Sequence, residues 1–112
     1  MTAQRLKDAI ARVERRQGQR RNFRGSLEIE WGSAVLTGTV RDIGPGGLFV
    51  ELIPPLWIGA AFRARLILNP ALLLHCTVVR VEPGMGVGVV FEVPEESGKA
   101  QMEGLLVSLP AV

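Results

Sequence analysis

Hydrophobic and polar residues alternate along most of this chain, which is the pattern of strands with one buried and one solvated face. The alternation is clearest where Leu27, Ile29 and Trp31 are separated by glutamates. Glycine and proline clusters interrupt it repeatedly and indicate turns. Six strands are predicted, at residues 26–31, 34–41, 48–52, 61–68, 72–81 and 87–91. A sheet of six short strands avoids exposed edges by closing, so a barrel is expected.

Helical spacing is confined to the two ends of the chain. Apolar residues recur at i, i+4 and i+7 between Ala3 and about Gly18, and the stretch from Pro94 to about Val107 has proline and glutamates in its first turn. The inward side of this second helix is predicted to be Met102, Leu105 and Leu106. The predicted fold is mainly β: a small six-stranded antiparallel β-barrel flanked by an N-terminal and a C-terminal helix. Its expected parts are residues 1–24, a helix and basic linker; 25–93, the barrel; and 94–112, a helix and tail.

Length and composition favour a single compact domain. The chain has 112 residues, 47% of them hydrophobic, which is enough for one modest core. No apolar run approaches the roughly 18 residues of a membrane span. The single Cys76 cannot form an intrachain disulfide, and a cytoplasmic location is expected.

Trp31 and Trp57 are able to stack on bases, but burial in the core is the expectation for both.

Charge is distributed unevenly along the chain. Residues 1–24 contain eight Lys or Arg and two acidic residues, a net charge of +6, whereas residues 25–112 contain five and nine, a net charge of −4. A basic arm on an acidic body indicates an anionic partner, such as a phosphate ligand, nucleic acid or an acidic protein face. A solvated helix face is the alternative explanation.

The most distinctive stretch is the turn between the second and third predicted strands, from Asp42 to Gly47. It contains three glycines and one proline, which favour a sharp reversal because glycine enters positive φ without steric cost. One interpretation is an ordinary hairpin turn with Asp42 as a local cap. The other is a recognition loop, whose backbone N–H groups bind an anion while Asp42 accepts hydrogen bonds from a base.

Catalytic residues are scarce, and no enzymatic activity is expected. His75 and Cys76 are adjacent on a predicted strand, so their side chains point to opposite faces and cannot act as base and nucleophile together. Glu28 and Glu30 share one strand face, where a solvated surface is the expected role. No second histidine or cysteine is present to complete a zinc site.

The arginine run before the first strand, the sequence DIGPGGLFV after the second and GVGVVF before the closing helix together resemble a PilZ domain, over about residues 15–107. The family's RxxxR motif is matched by Arg20 and Arg24, with Arg21 between them and the second arginine expected just before the first strand. A second register, Arg16 and Arg20, also matches. The resemblance implies a six-stranded barrel that binds cyclic di-GMP.

The second motif of the family, DxSxxG, is matched by Asp42, Gly44 and Gly47, with glycine in place of the serine. The chemistry fits independently, because the arginine fork matches both phosphate and the O6 and N7 edge of guanine. Losing one neutral hydrogen bond, roughly 0.5–1.5 kcal/mol, weakens binding without abolishing it.

The leading hypothesis is a non-catalytic cyclic di-GMP receptor or adaptor that signals when the ligand orders its basic N-terminal arm. The alternative is a degenerate PilZ-like adaptor that does not bind the nucleotide and uses its terminal helices for a protein partner or for self-association. No cofactor other than the ligand is expected, and nucleic acid is the less favoured anionic partner.

Overall fold

The computed structural model describes residues 20–52 and 56–110, and these form a closed antiparallel barrel of six strands with one helix after it. The strand order around the barrel is β1-β2-β3-β6-β5-β4. The elements are β1 (Arg21–Trp31), β2 (Ala34–Ile43), β3 (Gly47–Glu51), β4 (Ala61–Leu66), β5 (Leu72–Glu82), β6 (Gly86–Glu92) and α1 (Glu96–Ser108). The predicted mainly-β barrel and C-terminal helix are therefore confirmed. The predicted N-terminal helix lies outside the described residues.

Alternation along the strands places the core inside the barrel. On β4, for example, Phe62, Ala64 and Leu66 are buried while the residues between them are exposed. Every strand contributes inward side chains to one cluster, to which Met102 of α1 also belongs. Cys76 is buried in it, and burial raises the pKa of this thiol to about 12. A thiol held protonated in an apolar core is structural, as its sequence context suggests.

Strand β1 begins at Arg21, earlier than its alternating pattern indicates. The expectation that Arg24 immediately precedes the strand is therefore wrong, because Arg24 lies within it. The extension comes from backbone pairing with β2, in which Arg21 lies opposite Ile43 and Asn22 opposite Asp42. A bulge between Asn22 and Gly25 interrupts the register, and a bulge breaks the two-residue period by which a strand is recognised in a sequence.

The expectation that both tryptophans are buried in the core is wrong. Trp57 is 61% exposed, and Trp31 is only partly buried at the edge of the core. Their rings meet edge to face with centroids 5.0 Å apart, an arrangement that aromatic pairs favour. Trp31 is the last residue of β1, and Trp57 lies in the loop before β4.

Helix α1 approaches the barrel closely through one glycine. Gly98 and Met102 are its buried residues, whereas Leu105 and Leu106, predicted to face inward, are half-buried. A Cβ atom at Gly98 would lie 2.8 Å from Leu72 Cδ1 and 2.8 Å from Val93 Cγ1. Gly98 therefore allows the first turn of α1 to lie flat on the barrel, although glycine lowers helix propensity.

The two glycines of α1 provide a matched test of this packing. Gly104→Ala adds a methyl group where no atom lies within 4 Å, so it should raise the free energy of unfolding by about 0.5–1 kcal/mol through helix propensity. Gly98→Ala should instead lower it by about 1 kcal/mol, because Leu72 and Val93 must move. Urea denaturation of both variants measures this difference, and an equal gain at both positions would contradict close packing at Gly98.

Candidate functional site

The candidate site is built on an ion pair between the first described residue and the end of β2. Arg20 Nη1 donates to Asp42 Oδ1 at 3.1 Å. The two side chains are 13% and 19% exposed, so both charges are largely withdrawn from water. Burial lowers the pKa of Arg20, with further lowering from Arg80 and Arg41, while Asp42 acts in the opposite direction. Arg20 is therefore held by Asp42 within a group of three neighbouring arginines.

A bulge in β2 places Arg41 beside Asp42. The register passes from Val40 opposite Val50 to Asp42 opposite Phe49, so Arg41 is the extra residue. Arg41 Nε donates to Asp42 Oδ2 at 3.1 Å. One carboxylate thus holds two guanidinium groups, one through each oxygen, and both oxygens keep lone pairs for another donor.

Phe49 is fully buried although it does not belong to the barrel core. Its neighbours Leu48 and Val50 are in that core, so alternation turns the Phe49 ring to the outer face of β3. The guanidinium carbon of Arg41 lies 3.8 Å from the ring centroid, and that of Arg80 lies 5.6 Å from it. The ring is a platform for two cations.

A single row of cross-strand neighbours carries this arrangement across the barrel. Asn22 is opposite Asp42, Asp42 opposite Phe49, Phe49 opposite Gly88, and Gly88 opposite Arg80. At Gly88 an added Cβ would lie 3.4 Å from Arg80 Cβ and 3.6 Å from Arg80 Nε. The missing side chain lets Arg80 lie across β6 toward the ring. Directly opposite residues share a face of the sheet, so the row forms one continuous outer surface.

The turn between β2 and β3 is tied into the barrel by its backbone. Gly44 N–H donates to Gly47 C=O at 2.8 Å, and Gly46 C=O accepts from Phe91 N–H at 2.9 Å. Within the described part of the chain, positive φ occurs at Gly32, Gly59 and Gly84 and not in this turn. The reason inferred for its glycines was therefore wrong, since none of them occupies the left-handed region. Gly44 and Gly47 are both buried.

The structure brings some of the predicted site residues together and places others apart. Arg20 and Asp42 are in contact, and Asp42 lies at the start of the turn that contains Gly44 and Gly47. Arg24 bonds Glu51 at 3.2 Å, on the same outer face as Phe49 but nearer solvent.

Arg21 lies opposite the buried Ile43, so it is on the other face of β1 from Asn22. The structure does not bring it to Asp42. Arg16 lies outside the described residues.

Sequence reasoning missed Arg41, Phe49 and Arg80. Arg41 adjoins Asp42, but alternation would place the two side chains on opposite faces, and the bulge could not be foreseen. Phe49 looked like a core residue within an apolar strand. Arg80 is far from the motifs in sequence and meets them only through the β3-β6-β5 order of the closed barrel.

The site offers guanidinium donors and a carboxylate acceptor side by side. Such a set binds an anion that also carries planar hydrogen-bonding edges, because each guanidinium presents a rigid fork of N–H groups.

Among residues 20–52 and 56–110, no three His, Cys, Asp or Glu side chains gather as metal ligands would. None of the helices described is long and apolar enough to cross a membrane.

Comparisons with known proteins concern the family and the fold of the chain. The sequence model of the PilZ domain family matches residues 14–108. Among solved structures, the chain is similar to the PilZ domain of CeSA from a cellulose-synthesizing bacterium, with 20% sequence identity and a TM-score of 0.60 over 79% of this chain and 94% of that one. No curated protein matches the chain significantly.

The free protein should depend on Asp42 for stability. Asp42→Asn removes the carboxylate that pairs with Arg20 and leaves Arg41 with Glu82, and it should lower the free energy of unfolding by about 1–2 kcal/mol because Arg20 is largely desolvated. Glu51→Gln is the matched control, since it breaks the pair with Arg24, whose side chain is 64% exposed, and should change stability by less than about 0.5 kcal/mol. Equal effects in chemical denaturation would show that burial of the Asp42 pair adds nothing.

Proposed function

The chain belongs to the PilZ domain family, and on this basis we propose that it is a non-catalytic receptor for cyclic di-GMP, the bacterial second messenger that this family is known to bind. The proposed ligand-binding residues are Arg20, Arg24, Asp42, Gly44 and Gly47. Arg21 and Arg16 stay predictions from the sequence motif. The receptor would act where the messenger is found, in the bacterial cytosol.

The observation that carries the proposal is the ion pair between Arg20 and Asp42, whose atoms are 3.1 Å apart. These two residues come from the two motifs of the family and are separated by 22 positions in the chain. Their contact supports a site that is formed before the ligand arrives, which reduces the entropy that binding has to offset.

The ligand would use the pair in a specific way. The Arg20 fork donates to a phosphate or to the O6 and N7 atoms of guanine, while Asp42 accepts from the N–H edge of a guanine. Arg24 releases Glu51, from which it is easily separated at the surface, and adds a second fork.

Signalling would begin at Arg20, because it lies at the junction of the basic N-terminal segment and β1. A ligand that binds Arg20 and its basic neighbours fixes that segment against the barrel, and a change of this kind alters the surface that a partner protein meets.

Arg20→Lys tests whether the fork of Arg20 is required. Lysine keeps the positive charge but presents a single ammonium group, so affinity for cyclic di-GMP should fall at least about tenfold in calorimetry. Arg63→Lys is the control, because Arg63 pairs with Glu30 on the outer face of β4, away from Asp42. It should bind as tightly as the wild-type protein.

The outcomes separate the receptor from the adaptor. Near-normal binding by Arg20→Lys would mean that Arg20 contributes charge alone. Absence of binding by the wild-type protein at tens of micromolar ligand would overturn the receptor function and leave the adaptor as the explanation for the fold.

Gly44→Ser tests the departure from the family motif. Gly44 does not have positive φ, so a side chain there carries no left-handed penalty, and a hydroxyl at this position should tighten cyclic di-GMP binding by up to about tenfold. Gly46→Ser is the matched control, since a Cβ atom there meets nothing within 4 Å and the motif has no serine at that position. Affinity and unfolding free energy should be measured for both.

A gain at Gly44→Ser but not at Gly46→Ser would support a site weakened by the missing hydroxyl. Equal affinities for all three proteins, with unchanged stability, would show that the serine position makes no contact with the ligand.

A further inference from the structure

Glu82, at the end of β5, holds the two arginines that the family motifs do not include. Arg80 Nη2 lies 3.3 Å from Glu82 Oε2, and Arg41 Nη2 lies 3.7 Å from the same oxygen. Both guanidinium groups also lie over the ring of Phe49. The carboxylate therefore gathers two cations at one edge of a buried aromatic ring.

The group as a whole retains positive charge. Among residues 20–52 and 56–110, Arg20, Arg41 and Arg80 pair with two carboxylates, Asp42 and Glu82, and Arg41 is shared between both. Glu82 is 34% exposed and Arg80 is 53% exposed, so their ion pair is solvated and weak. An anion that binds these arginines more tightly than Glu82 does would therefore displace Glu82 at a small cost in free energy.

We propose that Arg41 and Arg80 are further ligand-binding residues of this site, and that Glu82 occupies them in the free protein and is displaced by the anionic nucleotide. This inference rests on the receptor function proposed above. A phosphate, or the O6 and N7 edge of a guanine, takes the place of the Glu82 carboxylate, because each accepts the same pair of guanidinium N–H groups. Competition from Glu82 thus lowers the affinity of the site for the nucleotide.

Three features prepare the arginines for this role. The guanidinium carbon of Arg41 lies 3.8 Å from the centroid of the Phe49 ring, and this contact restricts the Arg41 side chain. The bulge in β2 turns Arg41 to the same face as Asp42. Gly88 leaves room for Arg80 to cross β6. Arginines with restricted geometry lose less entropy when they bind a planar ligand edge.

The barrel contains a second carboxylate between two arginines, which serves as the comparison. Glu30 bonds Arg63 at 3.7 Å and Arg65 at 3.9 Å on the outer face of β1 and β4. Arg63 is 58% exposed, close to the exposure of Arg80. Neither Asp42 nor the ring of Phe49 belongs to that cluster, so the same substitutions there remove the same charges without touching the proposed site.

The experiment is calorimetric titration of the full chain with cyclic di-GMP, using four variants and the wild-type protein. Arg80→Gln should weaken binding about tenfold, since a charge-assisted hydrogen bond is lost, whereas Arg63→Gln should leave it unchanged. Glu82→Gln should tighten binding about threefold, because two weak ion pairs no longer compete for the arginines, whereas Glu30→Gln should change it by much less. Thermal unfolding of each variant shows that it is folded.

A gain in affinity cannot result from damage to the fold, so Glu82→Gln is the decisive variant. Should Glu82→Gln bind no tighter than Glu30→Gln, and Arg80→Gln no more weakly than Arg63→Gln, the inference is overturned while the receptor function stands. Absence of binding by the wild-type protein overturns both. The expected pattern, opposite shifts at Glu82 and Arg80 with both controls unchanged, supports the competition directly.

Discussion

The desolvated pair of Arg20 and Asp42 is the constraint on which the arrangement of this end of the barrel depends. A charge that is withdrawn from water has to be matched by a partner with good geometry, or it destabilises the fold. Arg20 fixes the start of β1, and Asp42 fixes the end of β2 and the orientation of Arg41. The ring of Phe49 then places Arg80 on the same surface. The largely buried Asp42 carboxylate therefore binds two guanidinium groups, and the ring of Phe49 adds the third from another part of the chain.

Bulges in the strands bring the polar side chains of the candidate site to one outer surface of the barrel. In an unbroken strand, alternation would send Arg41 and Asp42 to opposite faces. The extra residue in β2 brings both to the outer surface, and irregularities in β1 and β5 lie beside the same row of residues. Each bulge sacrifices some strand pairing. In exchange the barrel presents polar side chains from β2 and β5 on one surface, while its core remains apolar throughout the described residues.

Much of the fold was predictable because its strands follow the two-residue period. Five of the six strands and the C-terminal helix were predicted close to their observed bounds, whereas β1 begins five residues earlier than predicted, and the motif residues Arg20 and Asp42 do meet. The predictions that were wrong occur where a local rule gives way to tertiary structure. The charged start of β1 has no apolar alternation, and Trp57 is exposed despite its hydrophobic side chain. Arg80 could be assigned to the site only once the strand order was known, because sequence gives no measure of which strands become neighbours.

Gly44 allows two roles of its motif position to be considered separately. One is to close the turn, and the other is to contact a ligand. The turn closes through Gly44 N–H and Gly47 C=O, which any residue can provide, so its shape does not require a serine hydroxyl. In the proposed site only a contact with the ligand would be lost, and a neutral hydrogen bond contributes roughly 0.5–1.5 kcal/mol. A hydrogen bond from a charged guanidinium contributes about 1.5–3 kcal/mol. In the proposed receptor, a single ligand contact from Arg41 or Arg80 would therefore be sufficient to offset the missing serine, so the substituted motif is compatible with the proposed function.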